Sequence, residues 1–175
     1  MTGFVGMAGL GLFAARSDDL FRPGVRDAPM NSPTPGIREL AGRLIALEAP
    51  RDSRRVVTVR EVAGVCAKLR TALAKFAGVA GYRSLLLRAV ALAKAEAPAL
   101  ALARVEPDGS LGGFESLDEL QDGADGAAIV IHLLSLLVTF IGERLTLGLV
   151  RDAWPDATFD DTDLRDTDLR VEKQS

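Results

Sequence analysis

The chain has 175 residues, enough for one domain with a sizeable hydrophobic core, and a small net charge of −3. It is rich in aliphatic side chains but holds one Trp and one Tyr, which favours helices packed through small side chains over a β-sandwich. A single cysteine, Cys66, excludes an internal disulfide and leaves no sign of an oxidising compartment, so a cytoplasmic protein is expected. The expected fold is all-α, a compact helical bundle of about four main helices around a central apolar helix, with disordered N- and C-terminal tails.

Residues 1–33 read as a flexible segment. Their apolar start, GFVGMAGLGLFAA, resembles the hydrophobic region of a signal peptide but lacks a basic flank and is interrupted by glycines. Met30 offers an alternative translation start. The helical domain is expected over residues 34–155. Thr34 and Pro35 supply an N-cap and a first helical position, and Ile37, Leu40, Ala41, Leu44 and Leu47 follow at helical spacing before Pro50. A basic connector over 51–57 leads to Thr58 and Glu61, a capping-box pair. The apolar face of the second helix is Val59, Val62, Val65, Cys66, Leu69, Leu73 and Phe76.

Gly78 and Gly81 are expected to turn the chain into a third helix, which carries Tyr82, Leu85, Leu86, Ala89, Val90 and Ala93 inward and ends before Pro98. The second and third helices thus form an antiparallel hairpin. Pro107-Asp108-Gly109 marks a turn whose flanks suit a small β-hairpin or a plain loop, and the loop is the expectation. Ser116 and Glu119 open a short helix. Asp125 then caps a long helix from Gly126 to about Asp152, stopped near Trp154-Pro155.

From Gly126 to Gly142 (GAAIVIHLLSLLVTFIG) no charged residue occurs, so this stretch must be buried. It falls at the lower limit of the roughly 20 residues a bilayer core requires. Neither flank shows a positive-inside cluster, and the buried central helix of a bundle is the favoured reading over a membrane span. His132, Ser135, Thr139, Gly142 and Thr146 fall on one stripe of this helix and mark a candidate interface or pocket. Small residues there admit a close helix neighbour, and the hydroxyls can bond back to the carbonyl four residues earlier. His132 is the only histidine. With no second histidine and the cysteine on another helix, no metal site and no cofactor are expected.

The charge is unevenly distributed. Arg38 to Lys94 holds twelve Lys and Arg against four Asp and Glu, whereas Ala95 to Ser175 holds six against seventeen. Internal pairing, or pairing with a second subunit, is the expected neutralisation. Nucleic acid is a poor fit for Arg51, Arg54, Arg55 and Arg60, because no stacking aromatics are interleaved with them. Residues 156–175 read as an acidic disordered tail. Its tandem repeat DTDLR-DTDLR, with Phe159, Leu164 and Leu169 five residues apart, is similar in phase to pentapeptide-repeat proteins, whose units build a four-sided β-helix with that Leu or Phe inside. Less than one turn of such a helix is present, too little for a solenoid. The tail aspartates Asp160, Asp161 and Asp163 depart from a calcium-loop pattern.

No catalytic signature emerges. The expected function is protein association, as a homodimer or an adaptor for another protein. The competing readings are a small-molecule sensor or enzyme with a pocket beside His132, assisted by Glu143, Arg144 or Tyr82, and a membrane-associated protein inserting residues 126–142.

Overall fold

Thr34 accepts a hydrogen bond from the Ile37 amide at 3.4 Å and Pro35 takes the first helical position, so α1 (Pro35–Glu48) starts where its cap chemistry directs. The computed structural model describes residues 33–50, 59–113, 123–160 and 163–164. The basic connector with Arg51, Arg54 and Arg55, the cap residue Thr58, the helix expected at Ser116 and Glu119, and the tail beyond Leu164 lie outside these residues, as does the segment before Pro33.

The next element, α2 (Val59–Glu96), is two helical arms joined at Gly78, whose φ of 73° and ψ of 167° belong to a region open to glycine alone. The arms double back on each other. Tyr82 donates a hydrogen bond to the carbonyl oxygen of Cys66 at 2.8 Å, although the two residues would lie about 24 Å apart along an unbroken helix. The expected hairpin of helices is therefore present. Two of the positions assigned to its core and to that of α1 are exposed, Leu47 by 48% and Phe76 by 68%. Each stands in the last turn of its helical run, beside an open recess.

After a short 3₁₀ turn (Pro98–Leu102), β1 (Arg104–Val105) pairs antiparallel with β2 (Leu111–Gly112), Arg104 opposite Gly112 and Val105 opposite Leu111. The expected loop is thus a small β-hairpin. Asp108 holds its turn, accepting bonds from the amide and the hydroxyl of Ser110 at 3.0 and 2.7 Å, while Arg70 on α2 bonds the Asp108 carbonyl at 3.0 Å. The Ser110 donors, with Arg70 beside them, keep the Asp108 carboxyl below its ordinary range. The long-range clamp by Arg70 could not be read from turn residues alone.

The apolar stretch forms α3 (Gly123–Ile141), with Asp125 in its first turn rather than at the cap. It does not continue to Asp152 as expected. Gly142, with φ 84° and ψ 162°, breaks it, and α4 (Glu143–Ala153) leaves in a new direction. A Cβ placed on Gly126 would sit 3.1 Å from Val62, and Phe76 and Ile141 line one groove, so α3 runs beside the first arm of α2 in the same direction. Trp154, just past α4, returns to Lys68 of that arm, whose ammonium lies 5.3 Å from the indole ring. The chain therefore reverses at Gly142 much as it does at Gly78. Sliding the sequence until Gly78 meets Gly142 also aligns Phe76 with Phe140, Leu69 with Leu133, Leu73 with Leu137, Tyr82 with Thr146 and Leu86 with Val150. All but the two phenylalanines are buried. Two helical hairpins of one pattern thus make the bundle.

The core lies between these hairpins and α1, with Leu40, Leu44, Val65, Leu69, Leu86, Ile129, Leu133 and Leu137 almost wholly removed from solvent. Each such aliphatic side chain contributes about 1.5–3 kcal/mol by leaving water. Buried residues also occur beyond residue 155. Phe159 and Leu164 are buried, and Arg43 on α1 holds this segment by bonding Asp163 at 2.6 Å and the Thr158 carbonyl at 2.9 Å, with its guanidinium 5.3 Å from the Phe159 ring. Phe159 and Leu164, five residues apart, thus both point inward. Among the described residues, α2 is the one helix long and apolar enough to cross a membrane by length and composition, and Gly78 turns it back midway.

Candidate functional site

His132 sits at the middle of α3 and is 2% exposed. Glu96, the last residue of α2, brings its Oε1 to 3.1 Å from His132 Nε2. That approach is off the hydrogen-bond direction, and both ring nitrogens of the buried imidazole are without a hydrogen-bond partner. A buried polar group left without a hydrogen bond costs about 1–3 kcal/mol, so the imidazole is an unfavourable member of this core. Glu96 was not singled out by sequence reasoning. Its one local signal is an acidic residue closing a helix just before Pro98.

The other stripe residues do not gather around His132. Ser135 donates to the Ile131 carbonyl at 2.9 Å and Thr139 to that of Ser135 at 2.8 Å, both inside α3. Thr146 donates to the Gly142 carbonyl at 2.9 Å from α4. The hydroxyls thus bond back four residues, as their apolar setting requires. The stripe itself is not one seam, because it crosses the break. His132 and Thr146 are buried, Ser135 is half-buried, and Thr139 and Gly142 are exposed. Gly142 has no neighbour within 4 Å of a built Cβ, so its role is the turn and not close helix approach.

Nor do the expected helpers converge. The Tyr82 hydroxyl is committed to Cys66, and Glu143 and Arg144 stand exposed at the start of α4. Burial pushes the Cys66 thiol up to about 12 and raises Tyr82 further, so neither supplies a nucleophile or a base near neutral pH. Among the described residues no three of His, Cys, Asp and Glu cluster as metal ligands. Asp163 is engaged with Arg43, and Asp161 lies outside the described residues. Among the described residues two ion pairs join the basic and acidic parts of the chain, Arg43 with Asp163 at 2.6 Å and Arg70 with Asp108 at 3.2 Å.

At the turn end of the bundle the surface changes character. Phe76 and Phe140, each two residues before its glycine, are exposed together with Val79 and Leu145. A groove of about 200 Å³ lies beside them, lined by Phe76, Ile141, Leu145, Gly148, Leu149 and Asp152. Sequence reasoning missed this patch because helical spacing assigned Phe76 to the core. The repeated Phe-x-Gly at the two breaks was the available signal.

No family model matches the chain, and no curated protein or solved structure matches it either.

Proposed function

We propose that this protein is an association module that pairs with a second copy of itself through the turn end of its bundle. The observation that carries this reading is Phe140, 62% exposed and next in the chain to Ile141, which lines a mostly apolar groove of about 200 Å³. Exposed aromatics next to an apolar recess are uncommon on a monomer's surface and characteristic of contact sites. A knob and a recess on one face also suit a two-fold arrangement, in which each copy's Phe140 enters the other's groove. The contact differs from the seam expected from sequence, since His132 and Thr146 are withdrawn into the core and Phe76, Phe140 and Leu145 take their place.

The test is light scattering coupled to size exclusion on the full chain at low and high salt. A dimer that persists in high salt and becomes a monomer in Phe140→Asp and Leu145→Arg, with helical content unchanged, is the expected result. A monomer throughout the accessible concentration range, or a dimer indifferent to both substitutions, overturns the reading.

A further inference from the structure

Away from the turn end, the start of α3 and the end of α2 bound an open cleft of about 260 Å³. Arg38, Glu96 and Asp125 supply its charges, over a floor that includes Ala97, Ala128 and Ile131. Among the described residues neither Arg38 nor Asp125 has an ion-pair partner, although they share the cleft. Behind Glu96 stands His132, 2% exposed, its Nε2 3.1 Å from the Glu96 carboxylate and both ring nitrogens without a hydrogen bond.

From this arrangement we infer that the cleft binds a small zwitterion, a molecule of amino-acid size bearing one ammonium and one carboxylate group. Two carboxylates and one guanidinium around a short apolar floor match that charge pattern, and the volume is below that of drug-sized pockets. Glu96 and Asp125 take the ammonium, and Arg38 takes the carboxylate as a two-pronged donor. His132 is a positioning residue. Glu96 lies 3.1 Å from Nε2, so a ligand ammonium that draws on this carboxylate changes the surroundings of the imidazole, which has no hydrogen bond of its own. This inference does not depend on self-association.

The single histidine makes the test direct, because the imidazole C–H signals in a carbon-13-correlated NMR spectrum belong to His132 alone. Glycine, β-alanine and γ-aminobutyrate would be titrated into the full chain, with butylamine and butyrate as singly charged controls. The expected result is a saturable shift of the His132 signals by one of the zwitterions, with the controls at least about tenfold weaker. Glu96→Gln is expected to abolish that shift and Arg38→Gln to weaken it by about tenfold, both with unchanged helical content. Absence of a saturable shift with every zwitterion overturns the inference. Equal binding of butylamine, or a shift that survives both substitutions, overturns it as well.

Discussion

Cys66 and Tyr82 show how burial sets chemistry at a single position. The thiol, enclosed between the arms of α2, has its proton affinity raised from the ordinary 9.0 to about 12 by loss of water, an effect offset only in part by the Tyr82 hydroxyl. The folded state thus favours the protonated thiol, while the unfolded chain loses that proton from its ordinary value upward. This contribution to stability is complete below about pH 9.0 and disappears as pH rises toward about pH 12. Tyr82, raised in the same direction, adds to the alkaline loss. Urea unfolding midpoints across that window are expected to fall steeply in the natural protein and less steeply in the Cys66→Ala variant. An equal slope in both would show that the thiol is not what titrates. His132 belongs to the same scale, but its burial leaves hydrogen bonds unmade, whereas Tyr82 completes its own.

At the scale of elements, Gly78 and Gly142 decide the architecture. Each places one residue in a backbone region that side chains reach only at a cost of about 1–3 kcal/mol, and each turns a run of helix-forming residues back on itself. A Cβ at Gly142 would meet nothing within 4 Å, so substitution there isolates the backbone term from any clash. Gly142→Ala is expected to lower stability by about 1–3 kcal/mol. Gly42→Ala, on the exposed face of α1 and equally free of neighbours, is expected to raise it by about 0.5–1 kcal/mol. Thermal melts of the two variants check this, and a Gly142→Ala protein as stable as the natural one would remove the break from the account. The glycines were visible in the sequence, but only Gly78 was read as a turn. Gly142 sits inside a continuous apolar and amphipathic pattern, and local helix propensity cannot distinguish a glycine tolerated in a helix from one that ends it.

For the whole molecule, the informative part is the segment after α4. Phe159 and Leu164 close one side of the core, and Arg43 fixes them through Asp163, the Thr158 carbonyl and the Phe159 ring. Arg151 adds bonds to the Phe159 carbonyl at 2.8 and 3.3 Å. This stretch is acidic and repetitive in sequence, which hides two core residues among charges. Leu164→Ala is expected to cost about 2–5 kcal/mol, the range for emptying a buried leucine site, against a few tenths for a solvated tail. Denaturant midpoints measure the difference, and a shift too small to resolve would return residues 156–164 to the tail. The same segment pairs the acidic part of the chain with Arg43 of α1, so one part of the charge split is resolved within the molecule.

Residue order alone determined that the protein is helical, where α1 and the arms of α2 begin and end, and, Leu47 apart, that the aliphatic positions assigned to the core from Ile37 to Ala93 face inward. Those features are local: caps, glycines and apolar periodicity act within a few turns of chain. Tertiary structure decided the rest. It withdrew His132 and set Glu96 beside it, left Phe76 and Phe140 in solvent at neighbouring turns, and drew Phe159 and Leu164 into the core. These outcomes depend on which face of one element meets another far away in the chain. A side chain's spacing along its own helix says which face it occupies, but not whether a neighbour arrives to cover that face.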